Sequence, residues 1–182
     1  MGQQVVLSFF SYDKNKLWAF TQMQRAIPQL QQQPGIQFFR TLGTGAGLGF
    51  SLWPDFSTYA LLTIWESEAA ATAFLDTSAL METYVSKSAS QKHFSLHTLQ
   101  SHGLWGKSNP FVAEKRDLQD DEKIGIITRA TLRPSRLLEF WREVPAASEA
   151  IKNAKGVVRY KGVGEWRLVK QAAFSLWNSL AE

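Results

Sequence analysis

Two stretches of this chain repeat one another, and the repetition constrains its fold more than any other feature. Phe38 to Trp65 reads FFRTLGTGAGLGFSLWPDFSTYALLTIW: a strand, a loop with glycine at alternate positions (Gly43, Gly45, Gly47, Gly49), an apolar tip, and a strand ending on Trp65. Val157 to Trp177, VVRYKGVGEWRLVKQAAFSLW, again gives a strand, glycines at 162 and 164, and a strand closing on Trp177. The flanks repeat too. At an offset of 120, Val6-Leu7-Ser8 meets Ile126-Ile127-Thr128, and Leu17 and Phe20 meet Leu137 and Phe140. At 121, Gly35 and Gly43 meet Gly156 and Gly164, and at 112 Ala60 and Trp65 meet Ala172 and Trp177. A shared order of strand, proline-broken helix (Pro28, Pro145) and glycine hairpin indicates a duplicated unit.

Within the first copy, Gln4 to Phe10 is apolar at nearly every position and predicts a strand buried on both faces. Asp13 offers an N-cap for a helix whose apolar face is Leu17, Phe20, Met23 and Ile27. Pro34-Gly35 turns the chain into a strand over 36–42, and a second buried strand runs over 59–65. Ser67 and Ser78 cap two further helical segments, and 92–99 forms a fourth strand. The order β-α-β-β-α-β is the ferredoxin-like split βαβ unit.

The fold class expected is therefore α+β, with tandem ferredoxin-like repeats forming a dimeric α+β barrel-like domain. Residues 1–105 form the first repeat, the polar stretch 106–123 a linker, and 124–182 a second repeat that stops before its last helix and strand. Such sheets pack face to face and leave a cavity between them. The uncovered edge and face of the short repeat favour self-association.

Composition removes several kinds of chemistry. With no cysteine, thiolate catalysis, disulfides, iron–sulfur clusters and Cys-type zinc sites are excluded. No apolar run reaches membrane-span length and the N-terminus lacks a basic, cleavable leader, so the default is a cytoplasmic protein. Lys123 to Lys170 carries eleven Lys/Arg against four Glu, but the charges are spaced singly along helix and strand. That spacing suits a solvated face better than nucleic acid, and no nucleic-acid partner is expected.

The glycine loop leads into a strand rather than a helix, so it has no helix N-terminus to hold a phosphate, and it lacks a Gly-Lys-Ser/Thr ending. It is either a plain hairpin or a place where a flat ligand lies against bare backbone, with Arg40 and Lys161, one per copy, at the rim. Phe50, Leu52 and Trp53 at the tip form a lid, a shallow membrane foot, or a packing contact. His93 and His97 are expected on one face of the fourth strand, where either could ligate a metal; the competing reading is an ordinary satisfied or exposed histidine. Glu165 and the other carboxylates show no catalytic pairing.

The chain resembles the spheroidene monooxygenase family, the carotenoid ketolases. The resemblance rests on LWAFTQM (17–23), GTGAGLGF (43–50) followed by Tyr59-Ala60 and Trp65, TRATLRP with LLEFWREVP (128–145), and KGVGE with QAAFSLW (161–177), in the family's order over nearly the whole chain. It departs from the family at Leu48, where relatives carry a carboxylate, and at its end. The resemblance implies an oxidoreductase of carotenoid biosynthesis that uses molecular oxygen and an electron donor to convert an acyclic carotenoid to a ketone, with haem as cofactor. The residues available to hold haem are His93 or His97 on the iron and Arg40, Lys161 and Arg142 on the propionates. The apolar substrate would meet Gly43, Gly45, Gly47, Gly49, Phe50, Trp53 and Trp65, in a protein able to touch a membrane peripherally. The other class of function is a non-catalytic barrel that binds an apolar small molecule.

Overall fold

The structure is a computed structural model that describes residues 2–47, 51, 53–166 and 170–180. Two compact units divide it. One is Met1–Leu42 with Ser57–Arg116, and the other is Gly43–Phe56 with Asp117–Glu182, so the glycine hairpin groups with the second half of the chain.

The first unit contains β1 (Gln4–Ser11), α1 (Lys16–Arg25), α2 (Ile27–Gln31), most of β2 (Ile36–Gly45) and of β3 (Pro54–Trp65), α3 (Glu68–Thr77), α4 (Ala79–Lys87) and β4 (Ser90–Leu96). Its strand order is β4-β1-β3-β2. β1 lies between β3 and β4, antiparallel to both, and is buried on both faces from Gln4 to Phe10, as its mostly apolar sequence demands. On one face Val6 and Phe10 of β1, with Tyr59, Leu61 and Trp65 of β3, pack against Ala19, Ala26 and Leu30 of the first helices and Phe74, Leu80 and Tyr84 of α3 and α4. Ser67 and Ser78 cap α3 and α4, accepting from the backbone N–H of Ala70 and Met81.

The second unit contains β5 (Ile124–Thr131), a 3-10 turn (Pro134–Arg136), α5 (Leu137–Asn153), β6 (Val157–Trp166) and β7 (Lys170–Trp177). β7 pairs antiparallel with β5 on one side and β6 on the other, and the end of β2 adds Gly43 and Thr44 opposite Gly164 and Val163. This is the first unit's strand order without a counterpart of β4 among the described residues.

The duplication reaches individual hydrogen bonds. The indole Nε1 of Trp65 donates to Thr63 Oγ1 (2.8 Å), and that of Trp177 donates to Ser175 Oγ (2.9 Å). The next backbone N–H, from Glu66 or Asn178, reaches the carbonyl of Gly35 or Gly156 at 2.9 Å in both copies. Those two glycines sit at φ 75° and 81°, a left-handed turn that a side chain would strain. The fold is α+β and built of tandem ferredoxin-like repeats, the second without a counterpart of β4 among the described residues.

Four local expectations are corrected. The N-cap of α1 is Asn15, in the left-handed conformation open to asparagine, and not Asp13. The buried stripe of the first helices is Ala19, Gln22, Ala26 and Leu30, while Leu17 is 77% and Phe20 49% exposed. Small residues let the helix approach the sheet, and the larger side chains stay outside. Pro145 does not break its helix; it lies inside the continuous α5, which forgoes one backbone hydrogen bond there. β4 spans Ser90–Leu96, so His97 lies past its end and shares no strand face with His93.

Candidate functional site

In the glycine hairpin the described glycines sit in different local surroundings. A Cβ on Gly45 would stand 3.1 Å from the backbone nitrogen of Ser51 across the hairpin, so closeness of the two arms requires glycine there. Gly47 has φ 75° with open space around it, so its demand is conformational. A Cβ on Gly43 would make only an ordinary 3.9 Å contact with the carbonyl of Gly164. Trp53 at the tip is 73% exposed. Gly49 and Phe50, expected to meet substrate, lie outside the described residues.

Lys161 closes this hairpin. Its Nζ donates to the carbonyl of Gly47 (2.6 Å) and stands 3.4 Å from Asp55 Oδ2, with both side chains mostly buried. The registers place Lys161 on one sheet face with Phe174 and Ile127, in a row beside Val163, Ala172 and Arg129. α5 packs on the other face, where Phe140 and Val144 with Thr128 and Ala173 line a groove of about 190 Å³. On the Lys161 face Val163, Ala172, Phe174 and Leu176 are buried. Beside them Arg129 Nε donates to Glu165 Oε1 at 3.0 Å. That face is thus an apolar floor bordered by two largely buried ion pairs. The sequence showed Arg129 and Glu165 as isolated charges; the signal for their pairing was that Arg129 interrupts the apolar alternation of β5.

The residues expected to hold haem fall on different faces within each unit. His93 lies on the helix-covered face of the first sheet, its Nδ1 2.7 Å from Ser8 Oγ and its ring edge-on to Phe10. Partial burial lowers its pKa below the ordinary value of 6.5. His97 is exposed. Thr41 bonds back to Met23 of α1, which puts its neighbour Arg40 on the opposite face, where the guanidinium stacks 4.2 Å from the Phe38 ring and reaches the Trp105 carbonyl. In the second unit Arg142 is exposed on α5 beside Glu143, across the sheet from Lys161. These side chains do not fit a haem within either unit. No group of three or more His, Asp or Glu side chains suited to a metal occurs among the described residues. Trp65, expected at the substrate, is fully buried against Phe74 (4.8 Å between rings) and serves the core. Among the described residues no helix is long and apolar enough to cross a membrane.

No protein-family model matches the chain. Among solved structures it is similar to a putative monooxygenase from Fusobacterium nucleatum (TM-score 0.40, 10% identity, 99% of this chain and 77% of that one). It is also similar to SnoaB, a cofactor-independent oxygenase from Streptomyces nogalater (TM-score 0.42, 12% identity, 56% of this chain and 97% of that one). Both likenesses are too distant to carry function. Among curated proteins the chain is 28% identical to the spheroidene monooxygenase of Rhodobacter capsulatus over 97% of its own length and 74% of the relative's. It is 30% identical to that of Rubrivivax gelatinosus over 91% and 64%, and 29% identical to that of Cereibacter sphaeroides over 96% and 54%. Matched almost end to end by three proteins of one name, and spanning between about half and three quarters of their lengths, this chain is similar to the spheroidene monooxygenases.

Proposed function

We propose that this chain is a monooxygenase that acts on an acyclic carotenoid and converts a methylene of the polyene's end group to a ketone. The observation that carries the reading is the match to spheroidene monooxygenases along 91 to 97% of the chain. Each oxygen insertion takes one atom of O2 into a C–H bond and releases the other as water, with two electrons from a donor. A second insertion at the same carbon gives a geminal diol that loses water to the ketone.

Ordinary side chains do not supply the electrons for such a step, so a redox group or an outside reductant does. Haem is the cofactor the resemblance implies. The five residues expected for it are not assembled on one face of either unit.

The test is incubation of the purified protein with spheroidene in detergent, O2 and a reductant, with and without haemin, followed by mass spectrometry. A product heavier by one oxygen and lighter by two hydrogens is expected. Saturable binding of spheroidene with no product in either condition would replace the enzyme with a carrier of apolar molecules. A Soret band that saturates with haemin would assign the cofactor.

A further inference from the structure

Resting on that reading, we propose that the groove between α5 and strands β5 and β7 receives the apolar end group of the polyene. Phe140, Val144 and Ala147 of α5 form its helix wall, and Thr128, Ala130 and Ala173 its sheet wall. Of the described residues that line it, only Glu143 carries a charge, and that side chain is 72% exposed beside Arg142. The lining therefore suits an uncharged hydrocarbon and disfavours an anion. An apolar cavity of about 150 Å³ holds one benzene, so the groove of about 190 Å³ takes roughly six to ten carbons. That is the size of an end group, and the rest of a long polyene lies outside the groove.

The duplication shows how the groove arises. In the first copy Phe10 stands opposite Tyr59 and Ser8 opposite Leu61; at the same places of the second, Ala130 stands opposite Gln171 and Thr128 opposite Ala173. Phe10, Tyr59 and Leu61 are buried and fill the space beneath the helices of the first copy. Their counterparts are Ala130, Gln171 and Ala173, so two of the three are cut back to a methyl group. The groove lies at the positions that Phe10 and Leu61 hold in the first copy. Phe140 changes role with it: its counterpart Phe20 is half exposed on the outside of the first copy, whereas Phe140 lines the groove, edge-on to Trp141 at 5.3 Å. The fold does not require such a space, since the same backbone closes over large side chains in the other copy. An empty apolar groove also forfeits the contacts that filled it. An apolar end group restores those contacts in place of the two lost side chains.

The experiment titrates the protein in detergent micelles with spheroidene, and separately with myrcene, a ten-carbon acyclic isoprenoid hydrocarbon, by the change in tryptophan fluorescence. Myrcene should bind and should compete with spheroidene for one site. Ala130→Phe combined with Ala173→Leu restores the residues of the first copy; it should melt at or above the parent's temperature and lose affinity for both ligands. Each carbon kept out of the groove weakens binding by roughly fourfold, so the expected loss in Kd is more than about tenfold. Ala147→Leu fills the groove from an exposed position on the helix, where a larger side chain leaves folding intact, and should weaken both ligands as well. The parent's affinity for spheroidene in Ala147→Leu, or in the folded double variant, would overturn the assignment. So would a parent that binds spheroidene without competition from myrcene. A parent that binds myrcene but not spheroidene would instead overturn the function proposed above and leave the groove as a site for a smaller apolar molecule.

Discussion

Substituting alanine separately at Gly43, Gly45 and Gly47 should give three different results, because the three glycines are required for different reasons or not at all. At Gly43 the new methyl group meets only the Gly164 carbonyl at 3.9 Å, so the variant gains what a stiffer unfolded chain gives, about 0.4–1 kcal/mol. At Gly45 it meets the Ser51 nitrogen at 3.1 Å and the Ser51 oxygen at 3.3 Å. Both are backbone atoms of the facing arm, so the hairpin must open, at the roughly 1–3 kcal/mol typical of overpacking. At Gly47 there is room, but φ 75° costs an L-residue about 1–2 kcal/mol. For a chain of this size each kcal/mol moves Tm by roughly 2–4 °C. Calorimetric melting should therefore place Gly43→Ala slightly above the parent and the other two below it, with Gly47→Asn partly rescuing Gly47. Equal losses at 43 and 45 would refute the argument from space. A stabilised Gly43→Ala that no longer binds spheroidene would show that ligand lies on the backbone there.

Other outcomes follow from single contacts. Lys161→Met keeps the stem but removes the bonds to Gly47 and Asp55 at a mostly buried position; a loss of roughly 1–3 kcal/mol is expected, and unchanged melting would mean the clasp contributes nothing. Burial lowers the pKa of His93, so the folded state favours neutral imidazole; its contribution is complete above pH 6.5 and is lost as pH falls below it. His93→Gln should flatten the acid side of the stability profile, and parallel profiles would count against this. Burial raises the phenols of Tyr12 and Tyr84 above their usual 10.0, so their contribution is complete below pH 10 and lost as pH rises past it. Tyr84→Phe should then be more resistant to alkaline unfolding than the parent, and an equal or lower resistance would show that this phenol does not drive it.

The elements that the sequence made legible are those where one physical demand dominates. β1 is apolar at nearly every position because both of its faces are buried, and Ser67 and Ser78 announce their helices because a hydroxyl is the cheapest partner for an open N–H. The duplication was readable because Gly35 and Gly156 answer the same left-handed turn. Where two demands compete, reading by pattern failed. Helical spacing put Leu17 and Phe20 inside, but close approach to the sheet selects Ala19 and Ala26 for the buried stripe. Alternation put His97 with His93, but alternation holds only as far as the strand, and β4 stops at Leu96.

The candidate site was less legible than the fold, because its chemistry depends on register across strands. Arg129 and Glu165 are 36 residues apart and Lys161 and Asp55 are 106 apart; neither spacing suggests a pair until β7 is placed between β5 and β6 and the hairpin is folded onto β6. The repeat offers a way to find such residues from sequence alone. Once two copies are aligned, positions that carry the same demand keep the same type of residue, as Trp65 and Trp177 do above their hydroxyl partners. Positions that differ in charge between copies are released from the demands of the fold. Phe9 against Arg129 and Thr44 against Glu165 are two such positions, and the bulge brings both second-copy residues over one alanine. Two differences that meet in space and neutralise each other are a single change in what the face carries, from an aromatic ring to an ion pair.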